Sequence, residues 1–423
     1  MSLLRPMLVV LMLLLGGAAL AQDLPRVPPE EVGLSPERLE RVGRWLQAEI
    51  DGRKIPGAVL LIARQGKVAY FESFGRRDGS TDVPMARDAL FRIYSMTKPI
   101  ASVAAMMLVE DGRLALDDPV ARYIPEFASV SVGVEKPGQS GADATLERVP
   151  ARRPVTVHDL LRHTSGLTYG FFGDTPVKRA YRAAGVDPDA NDSLSTFASR
   201  LAALPLHFQP GSTWDYGVST DLLGRVIEVA GGMPLSQFLK TRLLDPLGMK
   251  DTSFYVTEPA RQARLAEPLP DDRVLGIGAV IGNPRVARRA ESAGGGLISS
   301  ATDYARFALM LRNGGELNGR RILGPRTVEF MTSDHLGSAI ARTPLYLPGP
   351  GYGFGLGFAV RTATGEAAAP GAPGEYYWGG AAGTYFWVDP RNDLVVVFMI
   401  QSPRQRAAYR TILRNMIYAA ISR

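Results

Sequence analysis

The chain has 423 residues, a formal net charge of +6 and no cysteine. This length suggests one large domain or two interleaved units, with enough apolar residues to bury a core without disulfides. The lack of cysteine excludes a thiol nucleophile and a thiolate metal site, and the arginines show no basic stripe interleaved with aromatic residues that would indicate nucleic-acid binding.

The first 21 residues have the layout of a secretory signal peptide. One positive charge, Arg5, precedes an apolar run over residues 7–15, and Ala19-Leu20-Ala21 offers a small-x-small cleavage site. The apolar run is too short to span a bilayer comfortably. The sequence therefore predicts cleavage after Ala21, a periplasmic or secreted location, and no stable membrane anchor after cleavage.

A Pro-rich linker over residues 22–34 precedes a helix that Ser35 is expected to cap. Two apolar runs, at 58–63 and 68–74, predict a β-hairpin. Residues 116–345 are mainly helical in pattern. Within them, residues 133–154 are polar and contain Gly and Pro, so we expect an irregular surface loop there.

The end of the chain returns to strands. Three apolar runs, at 376–378, 384–388 and 394–400, predict strands, and residues 407–421 predict a closing helix. Strands near both termini imply one antiparallel sheet that both ends of the chain build. We therefore predict a single domain over residues 35–423 of α/β plus all-α class. Its parts are a sheet subdomain at about 35–115 and 346–423 and an inserted helical subdomain at about 116–345.

The segment Ser95-Met96-Thr97-Lys98 places a serine and a lysine three residues apart, on one face of a predicted helix. A lysine amine beside a hydroxyl can help to remove its proton. Pro99 prevents the helix from extending far upstream, so Ser95 is expected near the helix N-terminus, where N–H groups and the dipole favour negative charge. A capping serine followed by a solvated lysine gives the same pattern, so other residues must decide.

A serine–lysine catalyst needs a second proton carrier and hydrogen-bond donors for the oxyanion. Tyr216 precedes a predicted helix and can project its phenol into a cleft, although most tyrosines are simply half-buried. Trp378-Gly379-Gly380 belongs to a predicted strand, where glycines let a substrate approach the backbone, although they also suit a bulge.

Other hydrolytic arrangements have little support in the sequence. The four histidines form neither a His-x-x-x-His nor a His-Glu-x-x-His pattern, so we predict no metal and no other cofactor. The chain also contains no Gly-x-Ser-x-Gly segment, which argues against the nucleophile elbow of an α/β-hydrolase.

Taken together, these residues resemble the serine β-lactamase and penicillin-binding-protein superfamily, and within it the family VIII carboxylesterase and class C β-lactamase-like branch. The segment at 95–98 is similar to the Ser-x-x-Lys motif and the segment at 216–218 to Tyr-x-Asn, while Trp378-Gly379-Gly380 stands in the place of Lys-Thr-Gly. Residues 160–167 and 294–297 add to the resemblance, which covers the chain from about residue 30 to its end.

The resemblance implies a β-lactamase-like fold and an acyl-enzyme on Ser95. Lys98 and Tyr216 would move protons, and the backbone N–H groups of Ser95 and Ala381 would hold the oxyanion. The residues expected to bind substrate are Val218, Trp378, Gly379 and Gly380.

Two departures from the motifs bear on the substrate. Val218 replaces the asparagine of Tyr-x-Asn, and Trp378 replaces the lysine that would meet a substrate carboxylate. These changes favour short-chain carboxylic esters as small-molecule substrates. A β-lactamase or D-Ala-D-Ala carboxypeptidase is the alternative, and a non-catalytic binding or sensor protein is the alternative of another class. The oligomeric state is not determined by the sequence.

Overall fold

The structure is a computed structural model that describes residues 23–136, 145–186, 192–275, 281–289 and 291–422. The predicted signal peptide lies outside the described residues. Within those ranges, no helix is both long enough and apolar enough to cross a membrane.

Twelve α-helices occur in the described part of the chain, joined in places by short 3₁₀ turns. They are α1 Pro36–Asp51, α2 Thr97–Glu110, α3 Val157–Leu161, α4 Pro176–Ala183, α5 Leu194–Ala202, α6 Ser219–Gly231, α7 Leu235–Leu239, α8 Asp245–Leu247, α9 Pro259–Gln262, α10 Ala301–Arg312, α11 Pro325–Met331 and α12 Arg406–Ala419.

Fifteen strands occur in the same described ranges. They are β1 Gly57–Arg64, β2 Lys67–Gly75, β3 Phe91–Arg92, β4 Ser131–Glu135, β5 Leu146–Pro150, β6 Thr213–Trp214, β7 Ile298–Ser299, β8 Glu316–Leu317, β9 Arg320–Arg321, β10 Ala341–Arg342, β11 Tyr352–Phe354, β12 Ala359–Arg361, β13 Tyr376–Gly379, β14 Tyr385–Asp389 and β15 Leu394–Ile400.

The largest sheet has the strand order β11-β12-β13-β14-β15-β1-β2 and is antiparallel throughout. The hairpin of β1 and β2 continues the sheet next to β15, with Leu61 opposite Val397. The predicted antiparallel sheet, built from both ends of the chain and flanked by helices, is confirmed. Strands β11 and β12 extend it at one edge.

Helices cover both faces of the sheet, which is why every residue of β1 and β15 is buried. Leu60 and Val396 face the cluster that α1 and α12 contribute to. The neighbouring residues Leu61 and Val397 belong to the opposite cluster, which contains α2 and α10. The alternation of side chains along each strand therefore builds two cores, one on each face.

The predicted irregular loop at residues 133–154 was wrong at both of its ends. Strands β4 and β5 pair antiparallel there, with Val132 opposite Val149, and Val132 is buried. The polar residues between these strands concealed a short apolar alternation on each side. The central part of the expected loop, residues 137–144, lies outside the described residues.

Candidate active site

Ser95 lies in a 3₁₀ turn, Tyr94–Met96, between strand β3 and helix α2. Helix α2 begins at Thr97, so Ser95 precedes its first residue by two positions. Tyr94 has a φ of 43°, which is uncommon for a residue with a side chain. Its hydroxyl accepts a hydrogen bond from the Gly282 N–H at 3.1 Å. The chain therefore turns sharply immediately before the serine, with Pro99 close behind it.

Lys98 is almost completely buried, with 1 % of its surface exposed. Its Nζ lies 3.3 Å from Ser95 Oγ, 3.2 Å from the Tyr169 hydroxyl and 2.7 Å from the Gly294 carbonyl oxygen. It also lies 4.6 Å from the centre of the Tyr216 ring, within the range of a cation–π contact. Lys98 is therefore held beside the serine by separate parts of the chain.

Tyr216 lies two residues before α6 reaches Val218, its N-cap, and it is 7 % exposed. Lys98 contacts the ring of Tyr216, whereas the Tyr216 hydroxyl accepts a hydrogen bond from Trp378 Nε1 at 3.3 Å. A Cβ at Gly217 would lie 2.5 Å from Thr168 Cα. The glycine therefore allows the loop that carries Tyr216 to lie directly against the loop that carries Tyr169.

Tyr169 was missed by the sequence analysis. Its ring lies 5.5 Å from that of Tyr216 and stacks on Phe171 at 4.6 Å between ring centres. Only its position, two residues beyond the segment at 160–167, could have indicated it. The structure thus places two tyrosines around Lys98, and the hydroxyl of Tyr169 is the one hydrogen-bonded to the lysine.

Trp378 and Gly379 end strand β13, and Gly380 and Ala381 follow in the turn to β14. A Cβ at Gly380 would lie 2.5 Å from the carbonyl oxygen of Ile93. Only a glycine therefore lets this turn approach the segment that leads into Ser95 so closely. The backbone N–H of Ala381 has no hydrogen-bond partner within the described residues, as an oxyanion donor requires.

Val218 does not reach the cavity in front of the serine, so its expected contact with substrate is not supported. Its side chain is completely buried in the main core at the start of α6. An apolar residue at this position gains more by packing than by facing a site that substrate and water enter. Lys98 lies beneath the cavity. The other expected site residues line it, namely Ser95, Tyr216, Trp378, Gly379, Gly380 and Ala381.

The cavity has a volume of about 460 Å³ and opens in front of Ser95. Most of its wall is aromatic or aliphatic, and such a wall suits an acyl chain or an apolar alcohol. The apolar lining includes Phe171, Phe172, Phe254, Tyr255, Leu275, Val286, Leu347, Tyr377 and Trp378.

Arginines provide the charge of this cavity, and no aspartate or glutamate is among the described residues that line it. Arg92 is neutralised by Glu267 at 3.0 Å. Arg406 and Arg410 lie one turn apart at the start of α12 and donate to the carbonyl oxygens of Ala381 and Gly380. Neither forms an ion pair with a described carboxylate, and burial lowers the pKa of Arg410. The sequence analysis missed this positive wall.

His163 is packed against Tyr216, with 4.9 Å between ring centres, but it is not a base for this site. Burial, together with the nearby charge of Lys98, lowers its pKa well below the ordinary value, so the neutral ring is too weak a base to take the Ser95 proton. Among the described residues there is also no cluster of three or more His, Asp or Glu side chains arranged to hold a metal ion.

The chain is similar to known proteins over most of its length. The family model described as Beta-lactamase matches residues 42–418. The protein Rv1367c of Mycobacterium tuberculosis is 39 % identical over 361 residues, which is 83 % of this chain and 87 % of that protein. The esterase EstB of Burkholderia gladioli is 32 % identical over 387 residues, covering 87 % of this chain and 92 % of EstB.

Among solved structures, EstCE1 is described as a hydrolase with promiscuous acyltransferase activity. It superimposes with a TM-score of 0.74 and 30 % sequence identity, covering 90 % of this chain and 98 % of EstCE1.

Proposed function

The chain belongs to the β-lactamase family and is a serine hydrolase, and from this premise we propose that it cleaves short-chain carboxylic esters through an acyl-enzyme on Ser95. The observation that carries the proposal is the 3.3 Å contact between Lys98 Nζ and Ser95 Oγ, beneath a cavity with a mainly apolar wall. The esterase activity named for EstB supports the choice of ester substrates.

In the proposed reaction, Ser95 Oγ attacks the ester carbonyl carbon while its proton passes to Lys98. The oxyanion that forms accepts hydrogen bonds from the backbone N–H groups of Ser95 and Ala381. The tetrahedral intermediate collapses, the carbon–oxygen bond to the alcohol breaks, and Tyr216 donates a proton to the leaving oxygen. Water then attacks the acyl carbon while Tyr216 takes one of its protons. The bond between that carbon and Ser95 Oγ breaks, Lys98 returns the proton to Ser95 Oγ, and the acid is released.

The two tyrosines have different places in this scheme. Both tyrosines line the cavity, but only the hydroxyl of Tyr216 accepts a hydrogen bond from Trp378, so we assign Tyr216 to the side on which the leaving alcohol would lie. Tyr169 bonds to the lysine and is assigned to hold its amine in line with Ser95. This division is a proposal that tyrosine-to-phenylalanine variants can test.

Trp378 supports the preference for esters. An indole at the position of a lysine offers an apolar surface and one N–H donor instead of a cation for a substrate carboxylate. That N–H is already engaged with Tyr216 at 3.3 Å. We therefore assign Trp378 to the wall that contacts the acyl or alcohol group, with Gly379 and Gly380 beside it.

A β-lactamase or D-Ala-D-Ala carboxypeptidase is the second candidate, and one observation favours it. Arg406 and Arg410 place positive charge at the cavity without an acidic partner in the described residues, although they lie on α12 rather than at the position of the missing lysine. To bind these arginines, a substrate carboxylate would have to lie away from the position where the family motif holds it.

The proposed function also includes export, which residues 7–21 support. N-terminal sequencing of protein from the periplasm or medium should begin near Gln22. A cytoplasmic protein that retains Met1 would contradict this part of the proposal.

The experiment that tests the proposed function is turnover of p-nitrophenyl butyrate, combined with intact-mass spectrometry using a slowly hydrolysed ester. Wild type should form a single acyl adduct, and Ser95→Ala should form none. A fluorophosphonate probe should likewise label one serine. An adduct that persists in Ser95→Ala would exclude Ser95 as the nucleophile, and absence of both adduct and turnover would favour a non-catalytic protein.

A further inference from the structure

Lys98 is buried among hydrogen-bond partners that are neutral at rest. Its three hydrogen-bond partners are the Ser95 hydroxyl, the Tyr169 hydroxyl and the Gly294 carbonyl oxygen, and none of them carries a formal negative charge at rest. A buried ammonium without compensating charge is strongly unfavourable. Something near Lys98 must therefore offset this cost if the lysine is to be protonated when the reaction requires it.

Asp221 is the nearby carboxylate that can do so. It lies on α6, is 2 % exposed, and its Oδ1 accepts hydrogen bonds from Ser292 Oγ at 2.5 Å and from the Gly294 N–H at 3.1 Å. Its Oδ2 has no hydrogen-bond partner within the described residues. The carboxylate is thus bound to the same glycine whose carbonyl oxygen receives Lys98.

The fit between Asp221 and Gly294 is tight. A Cβ at Gly294 would lie 2.3 Å from Asp221 Oδ2, so no other residue leaves room for the carboxylate against this backbone. Asp221 therefore fixes the position of Gly294 from one side, and on the other side the Gly294 carbonyl oxygen accepts a hydrogen bond from Lys98 Nζ at 2.7 Å. The helix that follows Tyr216 thereby also controls the lysine.

The electrostatics agree with this geometry. Burial raises the pKa of the Asp221 carboxyl, while the charge of Lys98 and the hydrogen bonds from Ser292 and Gly294 oppose that rise. When both groups are ionised, their opposite charges stabilise each other in this buried site. In the described part of the chain, the other titratable groups facing Lys98 are Tyr169, Tyr216 and the neutral His163, so Asp221 is the carboxyl group available to balance it.

We propose that Asp221 is a positioning residue for the reaction, which fixes Lys98 through Gly294 and supplies the negative charge that balances its ammonium. Asp221 acts through the lysine and does not line the cavity. The inference rests on the proposed function, because it assigns Asp221 a part in proton transfer between Ser95 and Lys98.

The test is Asp221→Asn in the full-length chain, because asparagine keeps the size and one oxygen acceptor but removes the charge. With p-nitrophenyl butyrate we expect kcat to fall about 10- to 100-fold, as for loss of an aligned proton-transfer group, and KM to change less than about threefold. Without the negative charge, the proton on the lysine is lost more readily. The acidic limb of kcat/KM should therefore move to lower pH by roughly one unit.

Asp272→Asn is the matched control. Asp272 is also 2 % exposed and also accepts from a serine hydroxyl, Ser402 Oγ at 2.6 Å, and from a backbone N–H, that of Arg404 at 3.2 Å. It does not line the cavity, so its variant should keep the wild-type kcat and pH profile. A wild-type kcat together with an unshifted acidic limb in Asp221→Asn would overturn the proposal.

Ser292→Ala is the second variant, and it decides the question if Asp221→Asn is not recovered as folded protein. It removes one hydrogen bond from Asp221 but leaves the charge, so kcat should fall several-fold while the acidic limb stays in place. Wild-type kcat in Ser292→Ala would contradict the positioning role. If wild type forms an acyl adduct on Ser95 but these variants behave like wild type, the inference alone fails. If wild type forms no adduct, the proposed function itself fails.

Discussion

At the scale of single residues, the short motifs predicted that distant segments meet at one site. They did not predict which atoms contact each other there. Ser95, Tyr216 and Trp378 come from distant parts of the chain, yet all line one cavity. The sequence did not indicate which tyrosine hydroxyl bonds to Lys98. That contact depends on the loop conformation around Thr168 and Gly217, which no local pattern specifies.

Lys98→Ala should lower kcat for p-nitrophenyl butyrate by roughly 10² or more, because the variant removes the group placed to receive the Ser95 proton. The double variant Lys98→Ala/Tyr216→Phe should lose less than the product of the two single losses, since the residues act as one unit. Steady-state kinetics measures both. Near-wild-type turnover by Lys98→Ala would contradict the proposed reaction.

The pair Tyr216→Phe and Tyr169→Phe separates the roles of the two tyrosines with the same chemical change. Tyr216→Phe removes the proposed acid and should lower kcat by roughly 10² or more with esters of unactivated alcohols. Tyr169→Phe removes one hydrogen bond to Lys98, and we expect a loss of about 3- to 30-fold. If both variants lose kcat equally with esters of poor leaving alcohols, the role of acid is no longer assigned to Tyr216 alone. Activated p-nitrophenyl esters should reduce the effect of Tyr216→Phe, because their leaving group needs no proton.

At the scale of elements, helix starts were the best-predicted features. Ser35 caps α1 with its side chain, as the polar residue before the apolar run indicated. Ser300 caps α10 in the same way. The two arginines at the start of α12 were missed, although a signal was present. Cations at a helix N-terminus oppose the dipole, so Arg406 and Arg410 without nearby acidic residues suggest a role outside helix stability.

The start of α10 predicts a measurable pH dependence of stability. Burial raises the pKa of Asp303 to about 7, although Thr252 and the Asp251 N–H donate to its carboxylate. Because this folded-state pKa lies above the unfolded value, the carboxyl stabilises the fold below about pH 4. That contribution is lost as the pH rises towards about 7.

Asp303→Asn should remove the loss of stability at higher pH, because the amide carries no charge and keeps an oxygen acceptor. Relative to wild type, its free energy of unfolding should rise by roughly 2–4 kcal/mol between pH 4.5 and 8, following a shift of about three pKa units. Urea denaturation at both pH values measures the difference. Asp245→Asn, an exposed aspartate paired with Lys240, serves as the control and should show no comparable change. An equal response of the two variants would contradict the assignment.

At the scale of the whole molecule, the sheet explains why sequence patterns predicted the architecture better than the site. Strands β1 and β15 are the apolar runs nearest to each end of the domain, and long apolar runs are the strongest signal in a sequence. Their pairing brings the two ends of the chain together. The short strands β11 and β12 lie in residues 352–361, where glycines alternate with large residues before Ala359. Nothing in that pattern shows that the pair extends the sheet at one edge.

The same architecture sets the last prediction, which concerns substrate. The sheet presents Trp378 at the cavity on β13, and α12 brings Arg406 and Arg410 to the turn that follows. The indole is beside Tyr216, whereas the arginines contact the backbone beyond Gly379. Charge is therefore present near the cavity but not where the family motif holds a substrate carboxylate.

Wild type should consequently hydrolyse p-nitrophenyl butyrate well above nitrocefin at matched concentrations. An ester has a better leaving group than an amide and depends less on a carboxylate clamp. Trp378→Lys should shift the ratio of kcat/KM values towards carboxylate-bearing substrates, because it restores a cation at the motif position. Trp378→Phe, which keeps an aromatic wall without charge, is the control and should leave the preference for esters. Faster turnover of nitrocefin than of the butyrate ester by wild type would overturn the ester assignment and favour the β-lactamase alternative.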